Sequence, residues 1–454
     1  METFLIKAIQ LVVALALLIV IHEFGHYFFA RLFGIRVEKF YLFFDPWFSL
    51  FKWKPKPPKN RKYNPDGSPK ASWRDTEYGI GWLPLGGYCK IAGMIDESMD
   101  KEQMAQPAKD DEFRSKPAYQ RLCVMVGGVL NNFILAIIIY IGIAWYWGEA
   151  SIPYENATAG MNFSEEAKLA GYQDGDIILS ADDEYVSAAG SLMKLVEANQ
   201  VKVLRGSDTI VINNPENFAL QLDNGFFRKD QPYRVPIYVK QVSPGSVAEK
   251  AGLQENDHII KVGETMVPTL DELSPALMQA NGKETLISIV RGSDTIQVNV
   301  VPEAGKLGFM LKHPSEIFDV EIVKYNLFQA IPKGISDGTG QLVSYVSSLK
   351  YVFTEQGASE IGGFGAIGNL FPAQWNWLTF WELTAFLSII LAFMNILPIP
   401  ALDGGHVLFV LWEIITRRKP SEKFLEYAQM VGMFILFGLL IYANANDIYR
   451  FIFK

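Results

Sequence analysis

Cysteine is nearly absent: 454 residues contain only Cys89 and Cys123. They form no spaced metal pair and need no disulfide. One follows a glycine-rich segment and the other opens a hydrophobic helix, so both read as packing residues. A basic stripe is also missing, and the formal net charge is a modest -8. Nucleic acid is therefore not expected as a partner. A third absence lies near the start of the chain. Apolar residues run almost unbroken from Phe4 to Phe29, yet no Ala-x-Ala site follows and Tyr27-Phe28-Phe29 is bulky. That argues against a cleaved signal peptide, and the stretch is long enough to cross a bilayer core of about 30 Å.

Hydrophobic residues make up 50% of the chain, which suits a partly membrane-embedded protein of two to four units. Four stretches have transmembrane character: residues near 4–30, 122–147, 380–397 and 428–442. Trp145 and Trp147, with Trp375, Trp377 and Trp381, fall where aromatic belts sit at the membrane interface. Lys52, Lys54, Lys56, Lys59, Arg61 and Lys62 follow the first stretch, and Arg417-Arg418-Lys419 precede the fourth. Basic loops stay on the cytoplasmic side, which leaves both termini and residues 149–376 outside.

The first stretch contains Ile21-His22-Glu23-Phe24-Gly25-His26. On a helix, His22 and His26 stand one turn apart on one face, as two ligands of one metal must. Glu23 lies beside them, where a carboxylate can take the proton of an attacking water. Ionisable groups at membrane depth are expensive and mark function by default. A catalytic zinc site keeps three protein ligands and an open position. Asp403, in Asn395-Ile396-Leu397-Pro398-Ile399-Pro400-Ala401-Leu402-Asp403-Gly404-Gly405, is the strong carboxylate candidate at comparable depth. The prolines end the third span and the glycines permit a sharp turn after Asp403. His406 reads as a packing or supporting residue, and Asn132 as a buried polar group that suits a helix–helix hydrogen bond or a catalytic role.

Elsewhere, residues 54–69 read as a solvated loop, and 76–88 as short strands with tight turns. Residues 167–178 are echoed by 248–259, and Arg205-Gly206-Ser207-Asp208-Thr209-Ile210 recurs as Arg291-Gly292-Ser293-Asp294-Thr295-Ile296. Each copy reads as a short helix, a turn, a strand and a hairpin, an alternation that resembles PDZ domains. His258 and His313, without spaced partners, read as surface or structural residues. Helical spacing from 320 to 353 suggests an amphipathic helix, and 357–368 is glycine-rich and expected to be flexible.

His-Glu-Phe-Gly-His in the first span, paired with Asn-x-x-Pro-x-Pro-x-Leu-Asp-Gly-Gly in the third, resembles the site-2 protease family and its bacterial branch in regulated intramembrane proteolysis. The segment Pro84-Leu85-Gly86-Gly87-Tyr88-x-Lys90 adds to the likeness, which covers nearly the whole chain. The resemblance implies Zn2+ held by His22, His26 and Asp403, with Glu23 as catalytic base. It implies that Asn395 contacts the substrate backbone, and that the 76–88 segment, Gly79, Ile80 and Gly81 included, presents the substrate as an added strand. The substrate it implies is a single-pass membrane protein, often an anti-sigma factor, already trimmed by a first protease. Val129 and Phe364 stand where the family usually has proline.

The expected fold is thus a multi-pass α-helical membrane protein with four transmembrane helices, a membrane-associated β region and two tandem PDZ-like α+β domains. The expected parts are a first transmembrane helix (1–33), a cytoplasmic loop with the β segment (34–119), a second helix (120–148), PDZ-like domains (149–226 and 227–310), an amphipathic helix and linker (311–376), a third helix (377–405) and a fourth (426–450). The expected setting is the inner membrane, with the active site toward the cytoplasm and the PDZ-like domains outside. A PDZ-bearing scaffold with a vestigial motif is the competing reading; it predicts a missing third ligand.

Overall fold

The computed structural model describes residues 2–57, 61–63, 67, 70–94, 107–186, 192–222, 225–228, 231–350 and 362–453. The chain forms two compact units. One joins residues 1–147 to 325–453, and the other spans 148–324.

The first unit is built on helices α1 (Glu2–Leu32), α2 (Ala118–Tyr146), α3 (Leu327–Ser348), α4 (Phe364–Leu370), α5 (Trp377–Ile396), α6 (Asp403–Thr416) and α7 (Glu422–Phe453). Four of these, α1, α2, α5 and α7, are long and apolar enough to cross a membrane. Their outer faces are as apolar as their packed ones: Phe434, Phe437 and Ile441 on α7 are exposed. Helices satisfy their own backbone groups, so such faces suit lipid. Asn326 and Asn376 cap α3 and α5 through side-chain oxygens, each taking one of the N–H groups a helix start leaves free.

α7 outruns the apolar stretch expected at 428–442. Asp447 Oδ2 accepts the N–H groups of Gly363 and Ala366, at 3.0 Å each, and Asn444 Oδ1 accepts that of Phe364. The polar end of α7 thereby holds the start of α4, and a proline at 364 would have no N–H to give. The structure also shortens the amphipathic helix expected from 320: a strand at Glu321–Val323 precedes α3. Of the stretch expected to be flexible, 357–361 lie outside the described residues, while 364–370 are helical. The loop expected at 54–69 also lies partly outside them.

Between α1 and α2 lies a four-stranded sheet in the order β2-β3-β1-β4, made of β1 (Val37–Leu42), β2 (Phe44–Trp53), β3 (Glu77–Leu83) and β4 (Tyr88–Ile91). β1 is parallel to β3 and antiparallel to β4. Ala30, Ile35, Val37, Ile91, Phe113, Val124 and Met125 form one buried cluster that fastens the sheet to α1 and α2.

The second unit holds the repeat. β5 (Glu149–Ser151) is followed by a three-stranded sheet of β6 (Ile177–Ala181), β7 (Gln200–Arg205) and β8 (Asp208–Asn213). A larger sheet contains β9 (Ile237–Val242), β10 (His258–Val262), β11 (Thr265–Met266), β12 (Thr285–Arg291), β13 (Asp294–Val300) and β14 (Phe309–Leu311). β15 (Glu321–Val323) returns to pair with β5. Each sheet has its own hydrophobic core. The first core takes in Phe227 and Tyr233, across the boundary expected after residue 226.

The two sequence echoes turn out to be halves of one clamp. Arg205 donates from Nε and Nη2 to the carboxylate of Asp176, both at 2.7 Å, and from Nη2 to the Gly171 carbonyl. Arg291 does the same to Asp257, at 2.7 and 2.8 Å, and to Gly252. Asp176 and Asp257 are almost fully buried, so each carboxylate depends on this bidentate partner. Arg205→Met should destabilise the first module by about 3 kcal/mol, because it strands a buried charge. Hydrogen exchange on the full-length protein should show faster exchange in β6–β8 alone, with Arg291→Met doing the same for β10, β12 and β13. His258 stacks on Tyr238 with ring centroids 4.4 Å apart, and His313 caps a turn through Ser315, so both serve structure.

Candidate active site

α1 and α2 cross at glycines. A Cβ on Gly25 would stand 2.2 Å from the Gly127 carbonyl oxygen, and one on Gly128 would stand 2.5 Å from His26 Nε2 and 2.7 Å from His22 Cε1. The missing side chains let α2 lie directly against the histidine face of α1.

That contact fixes the rings. His26 Nδ1 lies 2.8 Å from the Val124 carbonyl, which can only accept. Nδ1 therefore carries the proton and Nε2 keeps a free lone pair. His22 Nδ1 faces the side-chain amide of the fully buried Asn132 at 3.4 Å, whose Oδ1 has no partner. Turning that amide over lets Oδ1 accept from Nδ1, which gives His22 the same tautomer.

The third group comes from a distant part of the sequence. α5 ends at Ile396, ahead of Pro398 and Pro400, and the chain turns through residues 397–402 before Asp403 opens α6. The sharp turn thus precedes Asp403, contrary to the sequence expectation, and Gly404 and Gly405 sit inside α6. They are needed for packing: a Cβ on Gly404 would fall 2.1 Å from the Leu397 carbonyl oxygen. Ala401 takes a left-handed φ of 78°, and its N–H donates to Oε1 of Gln429 on α7 at 3.2 Å.

His22 Nε2 lies 3.1 Å, and His26 Nε2 3.3 Å, from Asp403 Oδ2, and the two nitrogens are 3.3 Å apart. Asp403 Oδ2 is buried without a hydrogen bond. Three lone-pair atoms so close repel one another unless a cation sits among them. Zn–N and Zn–O bonds of about 2.0–2.1 Å at tetrahedral angles give ligand separations of about 3.3–3.4 Å. The donors thus fit zinc in both kind and spacing. Among the described residues this is the one such cluster; His406 lines the same cavity but does not belong to it.

The cluster opens into a cavity of about 530 Å³, lined also by Glu23, Asn395 and the 86–91 segment. The Cys89 backbone N–H donates to the Glu23 carboxylate. Asn395 Nδ2 lies 3.5 Å from His22 Nε2. Tyr88 donates to Asp45 Oδ1 at 2.9 Å; burial, then that carboxylate, push its pKa up. Tyr88 is therefore a donor and no base.

The structure does not bring Gly79, Ile80 and Gly81 to this cavity. They sit in β3, paired to β1 on one side and β2 on the other, so no further strand can add there. The one-sided strand at the cavity is β4, which pairs only with β1 among the described residues. The register could not be read from glycine spacing, because it rests on a parallel β1–β3 pairing between residues far apart in sequence. Gln429 was missed too; its only signal was a glutamine that heads an otherwise apolar run.

With this geometry in view, comparison with known proteins is decisive. The sequence model of peptidase family M50 matches residues 10–59 and 69–439. The chain belongs to peptidase family M50. Membership makes it a zinc-dependent endopeptidase. It is similar to Protease RseP of Yersinia pestis, 26% identical over 97% of both chains. It is also similar to the Regulator of sigma-E protease RseP of Escherichia coli (strain K12), 28% identical over 99% of this chain and 100% of that one. A further relative is a putative zinc metalloprotease of Vibrio cholerae, 27% identical over 97% of this chain and 98% of its own.

Proposed function

We propose that this M50 peptidase cuts a peptide bond within or near the membrane segment of a single-pass protein. His22, His26 and Asp403 hold the zinc, and Glu23 is the general base. The observation that carries the reading is the triangle of donor atoms, spaced for zinc, on helices apolar enough to span a membrane.

Bound zinc supplies Lewis acidity, which polarises the scissile carbonyl and acidifies the attacking water. Glu23 takes the proton as the water oxygen bonds to the carbonyl carbon. It returns that proton to the departing amide nitrogen as the C–N bond breaks. Asn395, on the cavity wall, holds the substrate backbone. The substrate lies as an added strand along the free edge of β4, where main-chain hydrogen bonds serve any sequence.

The two repeated modules are PDZ-type domains, supported by their shared clamp and alternating helices and strands. The substrate proposed is an anti-sigma factor trimmed beforehand, as the family resemblance implies; two relatives carry names that give regulation of sigma-E and nothing finer. The basic residues at 52–62 and 417–419 support an inner-membrane protein with its active site toward the cytoplasm and the PDZ-type modules outside.

Zinc content of the detergent-purified protein tests the ligands. Wild type should carry one zinc per chain, and Asp403→Ala, with two ligands left, should lose it. Stoichiometric zinc in the variant would remove Asp403 from the set. The substrate assignment has its own test. A helical amide is shielded by its hydrogen bonds, so glycine or proline near the cut should raise turnover over an all-leucine segment. Equal rates in proteoliposomes would argue against intramembrane cleavage.

A further inference from the structure

The catalytic cavity carries two cations that the peptidase chemistry does not use. Lys39 on β1 and Lys90 on β4 both line it. They are register partners across the antiparallel pair, so their side chains rise from the same face of the sheet. Like charges directly opposite one another destabilise a sheet. Lys90 is relieved by Glu38, 3.6 Å away, and Glu38 in turn is held by Arg36. Lys39 makes no ion pair among the described residues: Glu77, its register partner on β3, accepts from the Tyr41 hydroxyl at 2.8 Å, and the Lys39 ammonium lies 5.6 Å from the Tyr41 ring centroid. The other charged groups lining the cavity, Glu23 and Asp403, are committed to the reaction centre. A cation is left facing the space where substrate must lie.

We propose that Lys39, with Lys90 beside it, forms an acidic-residue subsite: it takes a carboxylate of the substrate, an aspartate or glutamate side chain a few residues from the scissile bond. The inference rests on the intramembrane cleavage reading and adds a sequence preference to it. The distance follows from β4. The Cys89 N–H marks the position of the Glu23 carboxylate, and Lys90 is the next residue. One strand rise plus the length of a lysine side chain reaches about 10 Å, or three residues of extended peptide. Edge-strand pairing alone is blind to side chains, so a charge contact of this kind would supply the selectivity that the backbone cannot.

The test is an aspartate scan in a glycine-containing single-pass peptide, reconstituted with the full-length protein. Aspartate is moved through the four positions on each side of the cut, with asparagine as the isosteric control. Aspartate at one position two to four residues from the cut should raise kcat/KM about tenfold over asparagine, as one charge-assisted hydrogen bond would. Lys39→Gln should abolish that ratio, and Lys39→Glu should reverse it in favour of lysine at the same position. Because the ratio is taken within one variant, a general loss of activity does not imitate the result. A flat scan in the wild type, or an unchanged ratio in Lys39→Gln, would overturn the subsite while leaving intramembrane cleavage intact. Failure of the wild type to cut any peptide in the series would instead overturn the cleavage reading itself.

Discussion

Glu23→Gln should keep one zinc per chain and lower turnover by about 10²–10⁴, the usual worth of a general base. Glutamine preserves the size of the side chain and can still meet the Cys89 N–H through its carbonyl oxygen, so the cavity wall is unchanged. It cannot take a proton from water. The variant should therefore bind substrate and fail only in the chemical step, with kcat reduced and KM retained. Metal analysis and single-turnover kinetics in proteoliposomes check both halves. Loss of zinc would mean that Glu23 is itself a ligand, and a wild-type rate would place the base elsewhere.

The second large effect is expected at a residue without a side chain. Gly128→Ala would put a methyl group 2.5 Å from His26 Nε2 and 2.7 Å from His22 Cε1. Both rings must turn or α2 must retreat, and either displaces the donors from their triangle. Disturbing the support of metal ligands commonly weakens binding 10–100-fold, and Gly128→Ala should lose zinc to a chelator by about that factor. Gly142 supplies the control. It lies on the same helix with nothing within 4 Å of a Cβ, so Gly142→Ala should retain zinc and activity and stabilise α2 by about 0.5–1 kcal/mol. If both variants hold zinc equally, the helix crossing does not position the ligands.

These two residues also mark what could be read in the sequence. His22, Glu23 and His26 were legible because helical periodicity alone puts the two histidines on one face. Asp403 was legible because no other carboxylate suited its depth. The part played by Gly128 was not, since a glycine in an apolar helix declares a close approach without naming its partner. The edge strand was misjudged for a related reason. The resemblance put the added strand along 76–88, Gly79, Ile80 and Gly81 included, whereas strand order is decided by pairing between β1 and two later segments. Asp403-Gly404-Gly405 read as a turn because glycine permits one; here the prolines had already turned the chain, and the glycines make room for α6. The repeated Arg-Gly-Ser-Asp turn was visible, but its dependence on Asp176 and Asp257 needed three dimensions.

The unit that carries the active site is discontinuous, drawn from both ends of the chain. His22 and Asn395, which face one another in the finished protein, are 373 positions apart. At about 5–20 residues per second, a ribosome needs roughly 20–75 s to travel between them. Through that interval the nascent chain holds a histidine pair and a glutamate but neither Asn395 nor Asp403. If Asp403 is the third zinc ligand, as proposed, hydrolytic competence is acquired only late in synthesis, and a product truncated before that residue lacks the ligand.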